Sequence, residues 1–497
     1  MTSSTPSAPA GYPLPGLRFG AYPRIAVRWQ TVTVCVLTVM AWVAFTWLSI
    51  AQHHAYHSHA YDLSWFDQTA WNTARGQWLA NSFSHGTYFK EHFSPVLLVF
   101  GLVYRFWSSP DALLFIQASV AAIACIPLYI AVTNALHSRT AALLLATAYL
   151  LAPHLHGYLL FDFHPDIIAV FFIFTAFAFL QAGRPGSSLI ALIPVFLVKE
   201  DAVLLGMAFA VFLWLRRYRR HARLLLGASA AHLVLAELVI VAIPHLLHWG
   251  TSGEQGRYLY LIQGGLNDPR YLWAHLTGPL QTEAMAYLFG SQALLPIAGA
   301  GELAVAPDLL ANVLADHKPQ LQLTLQYALY PFALTMLASV TNIRALVEWD
   351  RADRVWASLH VPAAARASLL AGLLLLAETV SWLAGSPIGL HVNPTRFRST
   401  THTAALERIV RGVPPKASVT AQSSILPHLS HRENIREFPF IDHAAYVVVD
   451  RKGFVAWDAD VAGYGRVLAS LPELGYCLLR QDDGVELWVI DELCVPK

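Results

Sequence analysis

Residues 29–50 read WQTVTVCVLTVMAWVAFTWLSI, an apolar stretch with no charged side chain. A helix needs roughly 20 such residues to cross the hydrocarbon of a bilayer. Arg18, Arg24 and Arg28 precede it, and the N-terminal stretch Met1 to Gly20 is rich in Ser, Pro, Ala and Gly. The run starts too late and is too long for the apolar core of a cleavable signal peptide. It therefore predicts a permanent membrane helix that follows a disordered tail.

The same reading extends along the chain. Ala112–Leu136, Thr140–Leu160 and Leu224–Leu247 are long apolar runs, and Leu323–Val340 and Ser368–Trp382 follow them. Ile167–Leu180, Leu189–Val198 and Ala202–Leu215 are shorter, and Leu280–Ala315 is apolar but broken by Gly and Pro, as two helices or a re-entrant pair would be. The total expected is about eleven spans. Composition agrees: 56% of the residues are hydrophobic and 13% charged, against roughly 25% charged in soluble domains. A net charge of +1 leaves no basic footprint for nucleic acid.

Positive residues mark cytoplasmic loops. Arg216, Arg217, Arg219, Arg220 and Arg223 form the densest cluster. With that cluster inside, the N-terminal arginines, Arg139 and Arg184 fall inside too, provided that Pro95–Trp107 lies along the outer surface as an interfacial helix. Arg344, Arg351 and Arg354 join them if Leu280–Ala315 crosses an even number of times. The outer segments are then 52–109, 161–166, 199–201, 248–278, 316–320 and everything after Gly385, and they gather most of the acidic and histidine side chains near the membrane.

The expected organisation is a cytoplasmic tail (1–28), a membrane domain (29–384) whose first outer loop is 52–109, and an extracytoplasmic α/β domain (385–497). In the last part, Thr401–Arg411 has helical spacing, Ser418–Ala421 and Tyr446–Asp450 read as strands, and Tyr476–Arg480 with Val485–Ile490 read as a hairpin. Cys477 and Cys494 can pair there if the segment is outside the cytoplasm, whereas Cys35 and Cys125 sit in apolar runs.

Four constellations carry ionisable groups. Asp62 and Asp67 lie among aromatics in Tyr61–Gln68, just past the first helix. A carboxylate beside low-dielectric surroundings suits a general base, and the same two residues suit helix capping. Lys90 and His92, in Tyr88–Pro95, are donors for a phosphate or contacts for lipid headgroups. Asp162, His164 and Asp166, in Phe161–Asp166, are cavity residues or caps, and they form the ligand set if a divalent metal binds. Lys199, Glu200 and Asp201 interrupt an apolar stretch, and charges at membrane depth are usually kept for function. Lys199 suits a phosphate, with Glu200 or Asp201 holding it. Arg257 and His317, in later outer loops, are further cavity candidates.

Taken in order, Tyr61–Gln68, Gly76, Glu91–Leu97, Phe161–Asp166, Lys199–Asp201, Val419–Gln422 and Leu426–Ser430 resemble the GT-C superfamily of membrane glycosyltransferases. More closely, they resemble a bacterial, GT-C-like family of predicted membrane proteins of unknown function. The likeness covers nearly the whole chain beyond the tail. It implies a polytopic helical bundle and transfer of a sugar from a polyprenyl-phosphate donor to a glycan or lipid acceptor. Asp62 stands at the place of the catalytic carboxylate, with Asp67 as its neighbour, and Lys199 matches the lysine near the donor phosphate. Many relatives carry Lys-Pro-Pro-Leu where this chain has His92-Phe93-Ser94-Pro95-Val96-Leu97, so Lys90 or His92 would substitute there. No cofactor is required by this reading, and a divalent metal is compatible with it. A transporter or flippase, or a non-catalytic scaffold of envelope assembly, would use the same charges differently. No inverted repeat is visible, which speaks against a transporter.

Overall fold

The computed structural model describes residues 28–84, 86–246, 268–315, 318–322, 325–453 and 461–494. Helix α1 (Trp29–His54) contains the opening apolar stretch. The first loop then makes a π-helical turn, Ala60–Ser64, the helix α2 (Trp65–Ala74), a short hairpin of β1 (Ala80–Asn81) and β2 (Gly86–Thr87), and α3 (Leu97–Tyr104). The short α3 occupies the place of the expected interfacial helix.

Helices α4 (Pro110–Ile123) and α5 (Cys125–Leu136) run nearly continuously. Helix α6 (Arg139–Leu151) meets α7 (Pro153–Leu159) at a bend of 42°, where Pro153 withholds a backbone donor. Local chemistry sets the starts: Ser109 accepts from Asp111 N at 3.2 Å with Pro110 in the first turn, and Ser138 accepts from Ala141 N at 3.2 Å. Next come α8 (Asp166–Gln181), α9 (Pro185–Ala191), α10 (Ala202–Leu215), α11 (Arg219–Glu237) and α12 (Ile243–Leu246). Then α13 (Pro269–Leu276), α14 (Pro279–Gly290), α15 (Ala306–Leu314), α16 (Leu329–Glu348), α17 (Asp353–Ser358) and α18 (Ala363–Gly385) complete the helical part.

Every expected span coincides with helix among the described residues, but the helices differ in kind. Residues 29–54, 110–136, 219–246 and 363–385 are long and apolar enough to cross a membrane, and the bent α6–α7 pair is so if its two helices are taken as one broken span. Helices α8 and α10 are shorter and pack into the largest core, around Val170, Phe174, Phe177, Phe209 and Phe212. Much of their surface meets protein rather than lipid, which relaxes the length that a lone span needs.

The C-terminal part holds a five-stranded mixed sheet in the order β4-β3-β5-β7-β6. Its strands are β3 (Val419–Ala421), β4 (Ile435–Glu437), β5 (Tyr446–Asp450), β6 (Tyr476–Asp482) and β7 (Val485–Ile490). β3 is parallel to β4 and β5, and β7 is antiparallel to β5 and β6. Alternation divides β5 between two faces. Val448 packs with Leu406 and Ile409 of α19 (Thr401–Val410), and Val447 and Val449 pack with Tyr464 and Leu468 of α20 (Val461–Ser470). Tyr56, Ala60 and Phe83 of the first loop belong to the α19-side core, so loop and sheet share one apolar cluster. Cys477 and Cys494 are disulfide-bonded.

Candidate functional site

The turn Ala60–Ser64 carries Asp62, whose Oδ1 lies 3.2 Å from His164 Nε2. The loop that presents His164 is held by two residues from neighbouring helices. Gln117 of α4 donates to Asp162 O at 2.9 Å and accepts from His164 N at 2.6 Å. The Tyr158 hydroxyl donates to His164 O and accepts from Ile167 N at 3.2 Å. Asp162 adopts φ 103°, a backbone conformation that side chains other than glycine rarely hold. Such strain costs on the order of 1–3 kcal/mol and clusters at functional sites.

Asp162 Oδ2 accepts from His59 N at 2.7 Å. Burial first, then the charge of Asp62, pushes the Asp162 carboxyl well above the usual carboxylate range, against the pull of Ser58, His59 and Arg396. Arg396 is fixed by Gln52 Oε1 at 2.9 Å and Leu160 O at 2.7 Å.

Asp67 occupies a different environment. Its side chain is fully buried. It accepts from Tyr104 Oη at 2.5 Å and from the Ser430 hydroxyl, and His431 Nε2 stands 3.0 Å away. These partners come from α3 and from the loop after β3. The structure therefore places Asp67 as a tie between the first loop and the sheet domain, while Asp62 sits with His164. On neighbouring ties, Gln68 donates to Arg432 O at 2.8 Å, and Ser82 exchanges hydrogen bonds with the backbone of Ile435.

A cavity of about 390 Å³ opens beside α11. Lys199, Glu200, Asp201, Asp166 and His92 line its polar end, and Leu233, Ile240 and Val241 its apolar wall. Glu200 bridges two segments: Oε1 lies 2.7 Å from His92 Nδ1, and Oε2 accepts from Phe93 N at 3.0 Å. Burial works against the Glu200 charge, but His92 and Lys199 hold the carboxyl down to about 2. Burial raises Asp201 to about 7, although Lys199 opposes the rise. Lys199 Nζ is 3.9 Å from Asp201 Oδ2 and 5.9 Å from the centre of the Tyr327 ring. Burial disfavours its ammonium, yet Asp201, Asp166 and Glu200 keep its pKa well above the ordinary lysine value.

Lys90 is buried in the turn Tyr88–Lys90 and does not line this cavity. Asp162, His164 and Asp166 diverge: the first meets His59, the second Asp62, and the third borders the cavity. Among the described residues, no three His, Cys, Asp or Glu side chains group closely enough to hold a metal ion. Arg257 and His317 lie outside the described residues. Gln117, Arg396 and Asp308, which also borders the cavity, escaped sequence reasoning. Gln117 is one polar residue in an apolar run, and Arg396 lies in a polar segment where arginine is unremarked.

Residues 52–458 match the model of a family described as "Predicted membrane protein (DUF2079)". No curated protein matches the chain in sequence. Among solved structures, the apo crystal structure of ArnT from Cupriavidus metallidurans superposes with a TM-score of 0.52 at 14% identity, covering 94% of this chain and 99% of that one. The crystal structure of the same protein bound to undecaprenyl phosphate gives a TM-score of 0.51 at 15% identity, covering 94% and 100%. At these identities the likeness is one of fold.

Proposed function

The chain belongs to the DUF2079 family of predicted membrane proteins, its fold is that of ArnT, and from that premise we propose that it is a polyprenyl-phosphate-sugar-dependent glycosyltransferase. One observation carries the reading. The cavity has the Lys199 ammonium in its lining and an apolar wall supplied by Leu233 of α11 and by Ile240 and Val241 of the π-helical turn that follows it, and Val234, Leu235 and Leu238 along the same stretch are exposed. Such a shape suits a phosphate borne on a long apolar chain. The fold neighbour bound to undecaprenyl phosphate supports the same ligand class.

In the proposed reaction, Asp62 takes the proton of an acceptor hydroxyl, and His164 orients the carboxylate. The acceptor oxygen forms a bond to the anomeric carbon as the sugar–phosphate bond breaks, with inversion. The polyprenyl phosphate leaves with the electron pair, and Lys199 offsets its charge. His92 lines the same cavity but is engaged by Glu200, so its part is to fix the loop. We propose no obligatory cofactor. The acceptor, a cell-envelope glycan or a lipid, would enter between the first loop and the sheet domain. The disulfide fits an oxidising compartment, which supports a sheet domain outside the cell membrane and a cytoplasmic N-terminus.

The test is transfer from a panel of polyprenyl-phosphate sugars by purified protein, comparing wild type with Asp62→Asn. Loss of a general base should lower transfer by roughly 10²–10⁴-fold. Undiminished transfer would remove Asp62 from the proton step. No transfer by wild type from any donor would turn the case toward a transporter.

A further inference from the structure

The cavity beside α11 has polar lining that the reaction above does not use. Gln320 comes from the turn Lys318–Leu321, and Gln326 and Tyr327 from the turn Gln326–Ala328 that leads into α16. All three border the cavity together with Lys199, Asp201 and Tyr330. Gln320 Oε1, Gln326 Oε1 and Asp201 Oδ1 are buried without a hydrogen-bond partner among the described residues, and so is the Tyr330 hydroxyl. A buried polar atom left unpaired costs roughly 1–3 kcal/mol. Four of them in the lining of one cavity of about 390 Å³ therefore call for a ligand.

The kind of atom limits the kind of ligand. The Gln320 amide donates from Nε2 to Asn312 Oδ1 at 3.4 Å, which leaves its oxygen to accept. Amide and carboxylate oxygens only accept, and an ionised phosphodiester has no hydrogen to give them. The hydroxyls of a sugar have. Phosphate is thus the partner of Lys199, and the acceptor oxygens match what the phosphate carries. Tyr327 adds a surface, for it borders both this cavity and a smaller apolar one, of about 20 Å³, lined by Met285, Leu288 and Pro331. Lys199 Nζ lies 5.9 Å from the centre of the Tyr327 ring, so a group bonded to a phosphate on Lys199 can reach that ring. A sugar has C–H groups on its faces and hydroxyls on its rim, which suits an aromatic surface edged by a few polar groups.

Resting on the transferase reading, we propose that Gln320, Gln326 and Tyr327 form the subsite for the sugar of the donor. The two amides bind its hydroxyls, and the Tyr327 ring carries its apolar face. The ligand class is a polyhydroxylated ring on a polyprenyl phosphodiester. The polyprenyl phosphate left after transfer lacks that ring, so the subsite holds donor in preference to product. Asp166 borders the same cavity, and His164, two residues before it, meets Asp62. The loop that orients the base thus adjoins the donor.

Native mass spectrometry of the detergent-solubilised full chain decides the proposal. The probes are undecaprenyl phosphate and a panel of undecaprenyl-phosphate hexoses and pentoses. Wild type should bind at least one sugar-bearing lipid about tenfold more tightly than undecaprenyl phosphate, as two or more hydrogen bonds allow. Gln320→Leu and Gln326→Leu should each lower that affinity by about two- to tenfold, the worth of one hydrogen bond. Affinity for undecaprenyl phosphate should stay unchanged in both, which also shows that they fold. Tyr327→Ala should lose the preference, and Tyr327→Phe, which keeps the ring, should retain it. Lys199→Ala should weaken both ligands. A preference that survives Gln320→Leu, Gln326→Leu and Tyr327→Ala overturns the subsite, and so does an equal loss of both ligands in those variants. Equal binding of undecaprenyl phosphate and every sugar-bearing lipid by wild type overturns it too, and leaves Lys199 as the phosphate site. Failure of wild type to bind any polyprenyl phosphate overturns the transferase reading itself, and the subsite with it.

Discussion

His431 of the sheet domain stands 3.0 Å from the Asp67 carboxylate of the first loop, 364 residues away in sequence. Ser430 and Tyr104 complete the enclosure. A carboxylate held this way is costly to delete, because its donors are left buried without an acceptor. Asp67→Ala should destabilise the fold by about 3 kcal/mol and ease proteolytic release of the sheet domain. Asp62→Asn, isosteric and less enclosed, should stay within about 1 kcal/mol of wild type. Thermal unfolding in detergent separates the two: equal losses would mean that Asp67 is no tie.

The same contact gives a pH dependence. Burial lowers the His431 pKa, but Asp67 outweighs it and the net shift is upward from 6.5. A histidine with a raised folded pKa contributes its full stability below the unfolded value, and loses it as pH rises through the folded one. The loop–sheet junction should therefore be firmest below about pH 6.5 and loosen above it. Unfolding of wild type and His431→Gln across pH checks this. If the two curves run parallel, the imidazolium contributes nothing.

Lys199 supplies a separate expectation. Its ammonium is the lysine at the cavity's polar end, with Asp201 at 3.9 Å. A hydrogen bond to a charged phosphate contributes roughly 1.5–3 kcal/mol. Lys199→Ala should thus weaken binding of a polyprenyl phosphate by about ten- to a hundredfold, as read by native mass spectrometry of the detergent-solubilised protein. Unchanged affinity would move the phosphate to another part of the molecule.

The sequence made the ionisable candidates visible wherever they broke an apolar run. Lys199–Asp201 and Phe161–Asp166 stand out for that reason. Which groups meet was hidden, because pairing depends on helix rotation and loop closure. Asp62 and Asp67 read as neighbours, yet one faces His164 and the other the sheet domain. Glu200 read as a companion of Lys199, yet its carboxylate meets the His92 ring at 2.7 Å, from a loop 108 residues earlier. Short apolar runs such as Ile167–Leu180 were readable as helices, but their place inside the bundle follows from side chains supplied by other helices. β4 is three residues long and reads Ile-Arg-Glu, too short for alternation to register. Its partners, β3 and the Ser82 of the first loop, define it instead.

The disulfide tests the proposed orientation directly. Cys477 is the second residue of β6 and Cys494 follows the turn after β7, so the bond closes a loop of 17 residues in sequence separation. A crosslink over such a loop stabilises by about 3 kcal/mol in the chain-entropy account. Replacing both cysteines by serine should lower the unfolding temperature of the sheet domain and leave the helical part unaffected. Compartment is read by treating intact cells with a membrane-impermeant phosphine and then an impermeant maleimide. Labelling of Cys477 and Cys494 in intact cells places the sheet domain, and with it the Asp62 face, outside the membrane. Labelling that appears only after lysis puts that face in the cytoplasm, and the donor would then have to be presented from the inner leaflet.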